Sequence, residues 1–183
     1  MDIAIRARVT VRNISPQEFE KYVDYWHSKE LTRLKKYGLR EYNLIPREHI
    51  LSSLRVVYHK EGAVNSVKVI EYDGMVIGSF SATDISDERL VLHCSIWDQD
   101  LQGKGIGTIA YEKAIASYFG SYNVNFIDFY TPKDNVAAVK VKRNLGIPFL
   151  CETEFTVYLS DEPIPVYHYR VSRSDQAKFL NIV

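Results

Sequence analysis

Gln102-Gly103-Lys104-Gly105-Ile106-Gly107 is the stretch whose residue types and spacing point most directly to chemistry. It follows a β-prone run, Leu90 to Trp97. It opens a segment, Thr108 to Phe119, with apolar residues at helical spacing: Ile109, Ala110, Ala114, Ile115 and Tyr118. A strand, a glycine-rich turn and a helix N-terminus together form an anion site. First-turn N–H groups lack intrahelical acceptors there, and the helix dipole favours negative charge. Glycines let the backbone come close to the ligand. Lys104 adds a charge, so a diphosphate is the expected guest.

Spacing decides which diphosphate. A Walker loop requires Gly-Lys-Ser/Thr, and Gly105 is followed by Ile106. A dinucleotide fingerprint requires G-x-G-x-x-G, and Gly103 to Gly107 is one residue short. Asp128 stands near the place of the fingerprint's acidic residue but lies inside the next predicted strand. The pattern that fits is Q-x-x-G-x-G. It resembles the acetyl-CoA loop of the GNAT N-acetyltransferase superfamily. Asn135-Val136-Ala137-Ala138 through Leu145-Gly146-Ile147 is similar to that family's second signature, in the family's order and separation, and the two cover residues 89 to 147. Gln99 stands where the family's usual proline would be.

The resemblance implies the roles. Acetyl-CoA is the cosubstrate, held by Ser95, Ile96, Trp97, Gln102, Gly103, Lys104, Gly105, Ile106, Gly107, Thr108 and Asn135. Pantetheine enters between two splayed parallel strands, parted by a bulge near residue 97, and bonds to main chain of residues 95 to 97. A primary amine then attacks the thioester directly, an oxyanion forms beside backbone N–H groups, and no metal takes part. The family's Glu position falls on His93, a candidate base; the bland reading is a structural histidine. The usual acids, a Ser and a Tyr, are replaced by Ala138 and Lys142, which leaves Tyr130 as a weak candidate by location. A tail from Pro163 to Arg173 is similar to the branch acting on ribosomal-protein N-termini and polyamines. The amine, whether small molecule or protein N-terminus, stays open. So do a non-catalytic acetyl-CoA sensor and a scaffold that has lost its ligand. Mildly acidic, tyrosine-rich pocket walls would suit a cationic amine.

At the level of the whole chain, 183 residues suit a single domain spanning 1–183, and 46% hydrophobic with 25% charged residues is ordinary for a globular chain. Acidic and basic residues balance, so no global field draws nucleic acid or anionic membrane. No apolar run approaches the roughly 20 residues of a membrane span, and the first residues lack a signal-like pattern. Cys94 and Cys151 are too few for a disulfide or metal framework. Cytoplasmic location is the default expectation, and a homodimer is possible.

The elements that must hold the loop follow from patterning. Ile3 to Val11 alternates as a strand. Ser15-Pro16-Gln17-Glu18 is a capping box for a helix to about His27. Residues 29 to 60 look helical, with breaks at Gly38 and before Pro46. Asp73-Gly74 joins strands 67–72 and 75–81. Strand 89–97, the loop and its helix come next, then strand 125–130 and a helix for which Asp134, Thr131 and Asn135 are the candidate caps. Two strands, 149–159 and 166–171, close the chain. Lys140, Lys142 and Arg143 form a basic stripe, either a contact for the 3′-phosphate of CoA or a solvated helix face. The order is that of an α/β fold, and the resemblance implies the GNAT architecture for it: a mixed, mostly antiparallel sheet with helices on both faces.

Overall fold

In the computed structural model, which describes residues 3–27, 45–59, 66–156 and 162–180, Asp73 and Gly74 turn the chain as their types predict. Both are left-handed, with φ of 52° and 76°, and they join β2 (Val67–Tyr72) to β3 (Met75–Thr83). With β1 (Val9–Asn13), β4 (Arg89–Ile96), β5 (Phe126–Pro132), β6 (Phe149–Phe155) and β7 (Ile164–Ser172) they form one sheet. The seven strands lie in the order β1-β2-β3-β4-β5-β7-β6. Every pairing is antiparallel except β4 with β5. This is the expected mixed, mostly antiparallel sheet.

Helices cover both faces. On one lie α1 (Ile3–Arg8), α4 (Ile106–Ser121), α5 (Val136–Asn144) and α6 (Ala177–Leu180), packed on a core that includes Phe80, Ile109, Tyr118 and Phe129. On the other lie α2 (Phe19–His27) and α3 (Arg47–His59), which bury Phe19, Val23 and Leu51 against Val67 and Val69. The period-two alternation of strand side chains divides the sheet's residues between these two cores.

Several elements depart from their expected form. Alternation predicts a strand from Ile3, yet residues 3–8 are helical. Arg6 Nη1 pairs with Glu112 at 2.6 Å, and Lys113 Nζ donates to the Arg6 and Val9 carbonyls at 3.2 and 2.6 Å. These contacts to α4 outweigh a weak local pattern. The box at Ser15 forms as read, its backbone N–H donating to Glu18 Oε2 at 2.7 Å. Of the three candidate caps, Asn135 is the one that caps α5, as one reading of it expected: its Oδ1 accepts from Ala138 N at 3.1 Å. The expected break at Gly38 lies outside the described residues, as does the end of strand 149–159 beyond residue 156.

The bulge expected near residue 97 does not form, because β3 and β4 keep one register from Gly78↔Ile96 to Thr83↔Val91. The parallel ladder simply ends after Arg89↔Phe126, Leu90↔Ile127 and Val91↔Asp128. Beyond it β5 follows β7, with which it pairs along all seven of its residues, Phe126 to Pro132. Sheet twist then carries β5 away from β4.

Candidate active site

A slot therefore opens between the C-terminal halves of β4 and β5. Trp97 N donates to Ile77 O at 2.8 Å, so the odd residues of β4 spend their main-chain groups on β3. By alternation, Leu92, Cys94 and Ile96 present theirs to the slot. Of the main-chain contacts expected at 95–97, the Trp97 N–H is already engaged; Ile96 remains, and Cys94 joins it.

The glycine loop lies at the start of α4. Gly103 and Gly105 take φ of 77° and 83°, conformations that disfavour any side chain. Gly105 is the N-cap, and its carbonyl accepts from Thr108 N and Ile109 N at 3.1 and 3.3 Å. The N–H groups of Ile106 and Gly107 precede these bonds and have no intrahelical acceptor. Gly107 packs closely: a Cβ there would stand 3.4 Å from Ile96 Cδ1. Gln102 and Lys104 are exposed beside the loop. The loop thus offers donors and a positive charge where a diphosphate is expected, and Asn135 caps α5 across the slot.

A cavity of about 410 Å³ runs through the slot and is lined from both faces of the sheet. On the α2/α3 face lie His93, Ser95 and Tyr130; on the α4/α5 face lie Cys94, Tyr111 and Lys142. Tyr25, Trp26 and Ile50 close the first side, and Asn135 and Ala138 border the slot. Among the described lining residues none is Asp or Glu, so the mildly acidic walls expected from sequence are not found there. The loop residues themselves stand outside this cavity.

His93 Nε2 and Thr83 Oγ1 share a hydrogen bond of 2.9 Å. Burial, against a smaller opposing pull from Asp84, lowers the imidazole to about 4, with Lys142 adding to the fall. The ring is neutral through the physiological range and lies on the side of the sheet where α2 and α3 wall the cavity. The Tyr130 hydroxyl accepts from Arg89 Nη1 at 3.2 Å, and its ring stacks on Phe155 and His168 at 3.9 and 4.4 Å. That arrangement anchors Tyr130 to the strand pair. Below it the Asp128 carboxylate, fully buried, accepts from Arg170 Nε and Nη2 at 2.6 and 2.8 Å and from Arg89 Nη1 at 3.0 Å, and bonds His168 Nε2 at 3.0 Å. Burial works to raise its pKa, but these bonds outweigh burial and lower it.

The basic stripe on α5 divides. Lys140 and Arg143 are exposed, whereas Lys142 is 3% exposed and turns inward. Its Nζ donates to Tyr111 Oη at 2.6 Å and lies 4.1 Å from that ring's centroid. Burial lowers the ammonium to about 8. The sequence left Lys142 either a contact for the 3′-phosphate of CoA or part of a solvated face, and burial agrees with neither; the spacing of Ala138, Val139 and Lys142, which repeats at one helical turn, was the available signal. Tyr111 and Thr83 were missed because nothing local distinguishes them. Cys94 lies on the apolar face as expected but is only half-buried there, and desolvation by its surroundings pushes its thiol up to about 12. Among the described residues no group of three or more His, Cys, Asp or Glu could hold a metal ion, and no helix is long and apolar enough to cross a membrane.

The model of the acetyltransferase (GNAT) domain matches residues 8–147. Solved structures are similar over nearly the whole chain. The ribosomal-protein-S5-alanine acetyltransferase of Vibrio fischeri is 19% identical, with a TM-score of 0.74 over 92% of this chain and 95% of that one. The spermidine N-acetyltransferase of Vibrio cholerae, in complex with CoA and spermine, is 16% identical, with a TM-score of 0.72 over 96% and 99%. The ribosomal L7/L12 alpha-N-protein acetyltransferase in complex with coenzyme A is 14% identical, with a TM-score of 0.70 over 92% and 96%. No curated protein matches the sequence.

Proposed function

Because the chain belongs to the GNAT acetyltransferase domain family, we propose that it moves an acetyl group from acetyl-CoA to a primary amine by direct attack on the thioester. The observation that carries this reading is the slot beyond Val91↔Asp128, opening into a cavity walled from both faces of the sheet. The Gly103–Gly107 loop supports the diphosphate, and Asn135 stands at the pantetheine side. The Cys94 and Ile96 N–H groups supply donors for the carbonyl oxygen. His93, neutral and facing the α2/α3 side, is the base candidate there, and its low pKa makes it a weak one.

The described walls hold no carboxylate and include Tyr25, Trp26 and Ile50. An amine on a neutral apolar or aromatic body therefore suits them better than a polyamine. A non-catalytic sensor on the same fold is the second reading, favoured by the absence of a hydroxyl at Ala138 and at Lys142.

Calorimetric titration with acetyl-CoA, CoA and succinyl-CoA tests the donor site. Acetyl-CoA binding that disappears in Gly105→Trp is the expected result; no binding of any of the three would sink the proposal. Thiol release with aryl-alkyl amines, spermidine and peptides with free N-termini then separates enzyme from sensor.

A further inference from the structure

Lys142 is a buried ammonium whose contacts are all neutral. It is 3% exposed, donates to the Tyr111 hydroxyl at 2.6 Å, and faces the rings of Tyr111 and Phe129 at 4.1 and 5.6 Å. Among the described residues no carboxylate pairs with it. The titratable groups facing it are Tyr111 from α4, and Cys94 and His93 from β4. An unpaired buried charge is costly. A lysine serving only to fill space would be better replaced by methionine.

The same side chain lines the cavity, on the side of the sheet opposite His93. The slot between β4 and β5 separates the two. An amine admitted from the α2/α3 side would meet the carbonyl carbon on one face, and the sulfur could leave toward the other. From this arrangement we infer that the Lys142 ammonium, held by Tyr111, is the general acid that protonates the departing CoA thiolate. The inference rests on the acetyl-transfer reading given above.

The step balances without another reagent. The amine lone pair forms the C–N bond, the C–S bond breaks, and its electron pair goes to sulfur. A proton from Lys142 Nζ completes the thiol. The proton that nitrogen sheds on becoming an amide leaves on the amine's own side, to His93 or to water, and Lys142 regains its proton from solvent after the thiol departs. A free thiol titrates near 8.5, and burial lowers Lys142 to about 8. Donor and acceptor are thus closely matched, as efficient proton transfer requires. Tyr111, which also bonds the Cys94 thiol, is a positioning residue that aims Nζ.

The test requires no amine. The thiol of bound CoA is titrated by its ultraviolet absorbance, taking the complex with desulfo-CoA as blank so that the protein's tyrosines cancel. In the wild type the bound thiol should titrate about one pH unit or more below its value in Lys142→Met, a tenfold shift in thiolate fraction. Lys142→Gln serves the same comparison if the methionine variant fails to fold. Equal midpoints, with CoA bound by both proteins, would overturn the role of Lys142 alone. Failure of the wild type to bind CoA would overturn the acetyl-transfer reading as well. Lys142→Arg keeps the charge but cannot release a proton, so it should retain the low thiol midpoint and lose turnover with any amine the wild type accepts. Undiminished turnover there would also overturn the proposal.

Discussion

Val91 and Asp128 form the last rung of the parallel ladder between β4 and β5. Everything the site does depends on what happens beyond that pair. The strands part, main-chain groups of β4 are left facing a slot, and a cavity joins the two faces of the sheet. Asp128 fixes this rung from its own side chain, which ties Arg89 on β4 and Arg170 and His168 on β7 to β5.

Asp128→Ala should therefore be severely destabilising. Removing the carboxylate leaves two guanidinium groups beside one another without their shared anion. Loss of about 3–5 kcal/mol is expected, measured by urea denaturation. A loss under about 1 kcal/mol would mean the cluster is solvated.

His93 makes stability depend on pH in a defined window. Its folded pKa of about 4 lies below the unfolded value of 6.5. Between these values the unfolded state binds more protons, so stability falls as pH falls through the window. The wild type should lose up to about 3 kcal/mol there that His93→Asn keeps. Parallel pH profiles for the two proteins would refute the burial of a neutral ring.

Lys142 has the same sign at the other end of the scale. Its folded pKa of about 8 lies below 10.5, so its contribution to stability rises with pH between those values and is least below 8. Lys142→Met should be more stable than the wild type at pH 7, by about 1–3 kcal/mol. Thermal unfolding across pH 7 to 10.5 should show the difference shrinking as pH rises.

Asn135→Ala removes the acceptor for Ala138 N and should cost about 1 kcal/mol of stability. Asn135→Ser keeps a capping oxygen and should restore it. CoA affinity measured on both variants then isolates any contact to pantetheine from the cap, since a fall in both at unchanged stability for the serine variant would mark direct contact.

Gly78 offers a different kind of test. A Cβ on it would meet the Ser95 carbonyl oxygen at 2.4 Å, a backbone atom that cannot swing aside. Gly78→Ala should force β3 and β4 apart, destabilising the chain by about 1–3 kcal/mol and weakening CoA binding through Ile96. Retained affinity with retained stability would show that the strands can yield.

Local chemistry makes much of this protein legible from its residues alone. Asp73-Gly74 defines a hairpin because few other pairs accept two left-handed residues. Ser15 and Glu18 define a helix start because both partners of the box are within four residues. The glycines of the 102–107 loop point to a diphosphate because their spacing and the helix after them are contiguous in sequence. The GNAT fold was legible through the resemblance of the 102–107 loop and the Asn135–Ile147 segment to that family's two signatures, and the order of the elements agrees with it. Tertiary structure decides what depends on distance across the chain. Whether residues 3–8 are strand or helix turns on Glu112 and Lys113, a hundred residues away. The slot arises because β5 follows β7, not because β4 bends. Lys142 is an exposed cation by type and a buried one in place, since the partner that receives it, Tyr111, lies on another helix. Spacing along one chain records which groups are neighbours by covalent connection; burial, and with it every shifted pKa in the site, is set by neighbours that only folding supplies.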